Sequence, residues 1–266
     1  MNVAIIIPAR YASNRFPGKP LVKLKGYSGI AKTLIQRTWE VACQIQGVDS
    51  LAVATDDNQI ANEVSSFNGH VVMTSENWKN GTERCYEANT LLDSTADIII
   101  NLQGDAPLTP PDFIDDLISA MRNNPELQVV TPVIQCKGEG YNRLLNDRKE
   151  GRIGGTTVVF DDNHQALYFS KNVIPWCSEN FAPAELTPIY HHVGVYAYRA
   201  SALQWYVNRK QGKLETLEGL EQLRFLEGGI KIYCLEVNSK GRGFWELNNP
   251  SDIGIVEKAL AAAFIA

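Results

Sequence analysis

Cysteine, net positive charge and long apolar runs are all scarce in this chain, and each shortage excludes a class of protein. The five cysteines among 266 residues (Cys43, Cys85, Cys136, Cys177 and Cys234) are scattered, odd in number and never spaced C-x-x-C. That argues against a disulfide framework and a zinc site, and points to a reducing, cytoplasmic setting. Lys and Arg number 25 against 30 Asp and Glu, for a net charge of -5. A bulk nucleic-acid or anionic-membrane surface is therefore not expected, and any anion must be bound by a local cluster. No stretch reaches the roughly 20 apolar residues that cross a bilayer. The apolar start lacks a basic leader and meets Arg10 early, so it reads as a strand and not as a signal peptide. Repeats and low-complexity tracts are also missing. What is present is 44% hydrophobic content, ample for the core of one large domain.

The most informative segment is the first. The run Val3-Ala4-Ile5-Ile6-Ile7 enters a Pro/Gly-punctuated loop, Pro8-Ala9-Arg10-Tyr11-Ala12-Ser13-Asn14-Arg15-Phe16-Pro17-Gly18-Lys19-Pro20-Leu21. An open α/β sheet presents its ligand site at such strand ends. Arg10, Arg15 and Lys19 repel one another unless an anion sits among them, and a triphosphate suits. The loop is not a P-loop. Ser13 stands where that motif needs its first Gly, and Pro20 where it needs Ser or Thr after the Lys. Pro20 also blocks the usual helix start, so side-chain charge and backbone N–H groups are expected to hold the nucleotide.

Strands are expected at 3–7, 51–55, 70–73, 98–102 and 128–133, alternating with helices at 29–43, 58–66, 82–92 and 111–123. The pattern predicts an α/β fold: a Rossmann-like, mostly parallel central sheet flanked by helices. The second half changes texture, with strands at 156–160, 166–169 and 192–198, an amphipathic helix at 214–227, a strand at 230–236, and a closing helix from Pro250 capped by Asn249. We expect a single domain, with a nucleotide-binding half over 1–135 and a substrate-covering, smaller lobe over 136–266.

Four constellations carry chemistry. Asp56 and Asp57 end a strand, where helix capping is a better reading than metal ligation. In Asn80-Gly81-Thr82-Glu83-Arg84, Thr82 is a candidate cap, and Arg84 either faces a nucleotide or lies on the surface. The strand 98–102 delivers Gln103-Gly104-Asp105, and a lone hard oxygen ligand at a strand end suits Mg²⁺ bridging to phosphates. Alternation puts His192, Gly194, Tyr196 and Tyr198 on one strand face, as a polar sugar pocket or as plain structure. Beside them, Glu221 and Gln222 flank a Leu stripe (Leu214, Leu217, Leu220, Leu223) that reads as core or dimer seam.

These segments together resemble the CMP-KDO synthetases (3-deoxy-manno-octulosonate cytidylyltransferases). The resemblance runs through seven ordered blocks: 8–21, 54–57, 80–84, 101–108, 166–171 with Ile174-Pro175-Trp176, 192–199 and 220–224. It implies a Mg²⁺-dependent cytoplasmic homodimer that converts CTP and an acidic octulosonate to the CMP-sugar and pyrophosphate, for lipopolysaccharide or capsule. It implies that Arg10 and Lys19 contact the triphosphate with Arg15 beside them, that Pro8, Ala9, Arg84 and Gln103 lie at the nucleotide, and that Asp105 holds Mg²⁺. Lys171, His192, Tyr196, Glu221 and Gln222 would form the sugar-acid pocket. The chain also departs from the family. Asn248 replaces a metal-binding Asp and brings no charge, with Glu246 two residues away. Thr157 replaces a Lys, the stretch Gly26-Tyr27-Ser28-Gly29-Ile30-Ala31 is longer, and the Gly-rich 151–155 makes Arg152 a candidate anion contact. A sugar phosphate or phosphonate acceptor, or a weakly active nucleotide-binding protein, are the alternative readings.

Overall fold

The computed structural model describes residues 1–12, 16–93, 95–152, 155–178, 180–240, 247 and 249–265. Its strands are β1 (Val3–Pro8), β2 (Lys23–Lys25), β3 (Ala31–Thr33), β4 (Ser50–Thr55), β5 (Val71–Met73), β6 (Ile98–Leu102), β7 (Val129–Lys137), β8 (Thr156–Phe160), β9 (Ala166–Ser170), β10 (Leu186–His192), β11 (Val195–Arg199) and β12 (Ile232–Glu236). Its α-helices are α1 (Leu34–Ala42), α2 (Asn58–Ser66), α3 (Gly81–Leu91), α4 (Pro111–Asn123), α5 (Gly138–Lys149), α6 (Ala200–Val207), α7 (Lys213–Glu218), α8 (Leu223–Glu227) and α9 (Ile253–Ala262).

One sheet runs β5-β4-β1-β6-β11-β7-β10-β8-β9, with β12 added to β7. The β5-β4-β1-β6 part is parallel, and β11 opens the antiparallel part. β1 is fully buried because both its faces are covered. Ala4 and Ile6 join one core with Cys85, Ala88 and Tyr206, while Val3, Ile5 and Ile7 join the other with Ile35, Ile60 and Phe113. That explains an unbroken apolar run where a half-exposed strand would alternate. The chain goes outward from β1 to β4 and β5, then returns to β6 on β1's other side. The order therefore reverses between β1 and β6, and a crevice opens beyond their carboxyl ends. Pro8-Ala9-Arg10 and Gln103-Gly104-Asp105 are the segments that leave those two ends.

Three expected elements differ. The expected strand 192–198 is two strands along one edge of β7. Between the pairs His192↔Val133 and Ala197↔Val130 this chain advances five residues while β7 advances three. The bulge at Val193-Gly194 is held by Thr131, whose hydroxyl lies 3.2 Å from the Val193 carbonyl and 2.9 Å from that of Val195. The expected helix 214–227 breaks into α7 and α8 at Gly219, a left-handed C-cap with φ 60°. Its Leu stripe is consequently not one face: Leu223 is buried and Leu217 is 72% exposed. The expected helix 29–43 starts late, because 31–33 pairs with β2 as a hairpin. Buried Arg37 pins that hairpin by donating to the carbonyls of Leu24 and Ile30. The helices α5 and α6 were not expected.

Candidate active site

The crevice is a cleft of about 1100 Å³. At one end Lys19 Nζ lies 2.5 Å from Asp105 Oδ2, joining the first loop to the end of β6. Lys19 starts a single 3₁₀ turn with Pro20 inside it, and Gly18 before it sits at φ 69°. A Cβ there would lie 3.2 Å from the Tyr11 ring. As the Pro implied, no α-helix starts among the described residues of this loop. Arg10 reaches across the cleft and donates to the Lys79 carbonyl at 3.0 Å. Gly104 keeps ordinary φ, but its Cβ position lies 3.0 Å from the Pro8 carbonyl oxygen. The close approach made by Gly104 is thus to the end of β1.

Arg84 is buried, lines the cleft, and is bound from behind. It donates to Thr74 Oγ1 at 2.5 Å and pairs with Asp56 at 3.4 Å, so the surface reading of Arg84 is wrong. Asp57 caps α2 by accepting from the Gln59 and Ile60 N–H groups, as expected. The cap of α3 is Asn80, which accepts from Glu83 N–H at 2.9 Å, and not Thr82. Thr82 lies inside the first turn, hydrogen-bonded through its hydroxyl to Tyr198 and donating its N–H to Glu221 Oε2 at 3.1 Å.

The same cleft is lined by Lys171, His192, Tyr196, Glu221 and Gln222. Tyr196 and His192 rings lie 5.4 Å apart, and Phe169 meets the imidazole edge-on at 5.0 Å. Burial, with His191 beside it, pushes the His192 imidazole down to about 3, so it is neutral. Burial, with Arg143 beside it, brings His191 to about 4. Glu218 gathers the neighbouring backbone, accepting from Ser170 Oγ at 2.8 Å and Lys171 N–H at 3.0 Å. Two buried nitrogens here, His192 Nε2 and Gln222 Nε2, have no hydrogen-bond partner among the described residues. Each such group costs about 1–3 kcal/mol when unmet, so each is a place where a ligand's polar atom could be hydrogen-bonded.

A family model described as a cytidylyltransferase matches residues 4–232. The chain belongs to the cytidylyltransferase family. It is 44% identical, over 98% of both chains, to a 3-deoxy-manno-octulosonate cytidylyltransferase of Maricaulis maris. It is 43% identical to an 8-amino-3,8-dideoxy-manno-octulosonate cytidylyltransferase of Shewanella pealeana, over 98% of this chain and 99% of that one. A solved structure of CMP:2-keto-3-deoxy-manno-octonic acid synthetase complexed with CTP superposes with a TM-score of 0.83 at 33% identity, covering 99% of this chain and 100% of that one. The family resemblance and the α/β fold read from the sequence are both borne out.

In this cytidylyltransferase one cleft brings together Pro8, Ala9, Arg10, Lys19, Arg84, Gln103 and Asp105 with the five expected sugar-pocket residues. Arg15, Glu246 and Asn248 lie outside the described residues. Leu247 N–H donates to the Asp105 carbonyl at 3.0 Å, and Asn249 is the N-cap of the turn before α9. Arg152 folds back onto Asp147 at 2.7 Å at the cleft rim. Thr157 is tied to backbone, its hydroxyl donating to the Asn172 carbonyl at 2.7 Å.

Sequence reading missed Arg143 and Asp147, which α5 brings to the cleft. It also missed the buried network behind the cleft. There Arg224 grips Glu215 with two bonds of 2.7 Å, meets Glu83 at 2.9 Å and sits 3.9 Å over the Tyr206 ring. The available signal for α5 was Tyr141, Leu144 and Asp147 at helical spacing, masked by Gly138 and Gly140.

Among the described residues no group of three His, Cys, Asp or Glu could cage a metal. Mg²⁺ needs only one or two carboxylates when phosphates and waters complete its shell. Asp105 at the cleft wall fits that kind of site. No helix among the described residues is long and apolar enough to cross a membrane.

Proposed function

We propose that this protein transfers CMP from CTP to the anomeric hydroxyl of 3-deoxy-manno-octulosonate or its 8-amino counterpart, releasing pyrophosphate. The observation that supports it most is one cleft lined by two chemically different sets: the Lys19–Asp105 pair with Arg10, and the unmet His192 and Gln222 nitrogens. The names of the relatives at 44% and 43% identity supply the two acceptors.

Nucleotidyl transfer asks little covalent work of a protein; it needs alignment and charge neutralisation. Arg10 and Lys19 meet the triphosphate and offset the charge that grows on the leaving pyrophosphate. Pro8, Ala9, Gln103 and Arg84 shape the nucleotide end. Lys171 offers the cation for the acceptor's carboxylate, while neutral His192, Tyr196 and Gln222 hydrogen-bond its hydroxyls. Asp105 would hold Mg²⁺, which when bound offsets phosphate charge and helps orient the reactants.

The test is pyrophosphate release from CTP, ATP, GTP and UTP in turn, against a panel of the two sugar acids and a sugar phosphate. The expected result is turnover with CTP and a sugar acid only. Turnover with the sugar phosphate and neither acid overturns the acceptor.

A further inference from the structure

Four carboxylates among the described residues line the cleft, and three have an evident occupation. Asp105 pairs with Lys19, Asp147 with Arg152, and Asp252 accepts the Asn249 N–H at 2.7 Å in a capping box. Glu221 makes no ion pair with any described residue. Among the described residues its oxygens accept from neutral groups: Thr82, through its N–H at 3.1 Å and its hydroxyl, and Gln103 Nε2 at 3.4 Å. Arg224, three residues further along the chain, is committed to Glu83 and Glu215.

The place is as telling as the pairing. Gln103, which touches Glu221, leads into Gly104-Asp105 at the nucleotide end. Gln222, the next residue along the chain, belongs to the acceptor end. Glu221 is therefore at the junction of the two, where an attacking hydroxyl must meet the α-phosphate. The break between α7 and α8 puts it there: Gly219 ends α7, and the turn that follows aims residue 221 at the first turn of α3.

We propose that Glu221 is the general base of the transfer, an assignment that rests on the acceptor reading above. The acceptor's anomeric O–H gives its proton to the Glu221 carboxylate as its oxygen forms the bond to the α-phosphorus. The bond from the α-phosphorus to the bridging oxygen breaks, and pyrophosphate leaves with the electron pair. Glu221 returns the proton to water as the products depart.

The surroundings suit the task. Glu83 and Cys85 face Glu221 from α3, Tyr198 from β11, Tyr206 from α6 and Glu215 from α7, with Arg224 of α8 held on Glu215 behind them. Burial, then Glu215 and Glu83, raise its affinity for a proton, while the Thr82 hydrogen bonds oppose them. A carboxylate moved toward neutrality accepts a proton more readily than an ordinary one.

The experiment is steady-state kinetics across pH on wild type, Glu221→Gln and Glu221→Ala, with each sugar acid. The amide keeps an oxygen for Thr82 N–H but takes up no proton. Glu221→Gln is expected to lower kcat by about 10²–10⁴-fold, leave both KM values within roughly threefold, and flatten the acid limb of kcat/KM. Formate is expected to restore part of the turnover of Glu221→Ala. A Glu221→Gln enzyme within about tenfold of wild type, or one whose acceptor KM rises while kcat holds, overturns the base assignment alone. Wild type that releases no pyrophosphate with either sugar acid overturns the acceptor reading, and this assignment with it.

Discussion

Replacing Arg224 by Met tests whether the buried network behind the cleft holds it in shape. Arg224 is 4% exposed, and its partners Glu83 and Glu215 are 10% and 3% exposed at their side chains. The arginine supplies three short charge-assisted bonds, so Met strands two buried carboxylates with Glu221 already nearby. Breaking one side of a buried ion group costs about 3–5 kcal/mol. For a chain of this size that is a fall in melting temperature of roughly 6–20 °C, at about 2–4 °C per kcal/mol. The sign with pH follows. The stranded carboxylates hold protons more tightly folded than unfolded, so the penalty is full at neutral pH and shrinks as pH falls through their raised folded values. Urea unfolding followed by circular dichroism at two pH values reads both effects. Adding Glu83→Gln and Glu215→Gln to Arg224→Met is expected to recover much of the loss, because no buried charge is then unpaired. A loss under about 1 kcal/mol for Arg224→Met alone, or one that deepens on acidification, refutes the reasoning.

Other expectations are as direct. Asp105→Ala is expected to cut kcat by about 10²–10³-fold, and Lys19→Ala by a similar factor; wild-type-like turnover by Asp105→Ala would sink the mechanism. His192, held near 3 when folded against an ordinary 6.5, takes up its proton first in the unfolded chain. Stability therefore falls as pH drops from about 6.5 toward 3, by about 2 kcal/mol from this residue at pH 5. Comparing the urea midpoints of wild type and His192→Asn between pH 7 and pH 5 isolates that slope, and an unchanged slope would contradict it.

What the sequence showed and hid follows from the range of the forces involved. The strands β1 and β6 were legible because burial on both faces demands unbroken apolar runs, and the loops they deliver were legible because Gly18, Pro20, Gly104 and Asp105 each answer a local backbone or ligand requirement. The bulge at Val193-Gly194 was not, since it exists to fit one chain against β7 and is fixed by Thr131, far away in sequence. The break between α7 and α8 had its signal in Gly219, outweighed by a Leu spacing that continues across it. The sequence left Arg84 between a nucleotide contact and the surface and gave no role to Arg224; only the fold brings Asp56 to the first, and Glu83 and Glu215 to the second. The helix α5 is short of apolar residues and opens with two glycines, so its cleft-lining Arg143 and Asp147 gave little periodic warning.

The central claim is that one cleft joins CTP to a sugar acid. The direct measurement is ³¹P NMR of purified protein with CTP and Mg²⁺, with and without 3-deoxy-manno-octulosonate or its 8-amino counterpart. The account predicts a new phosphodiester resonance and equimolar pyrophosphate only when a sugar acid is present. CTP that binds yet gives no phosphodiester with either acid, or pyrophosphate released without an acceptor, would contradict it.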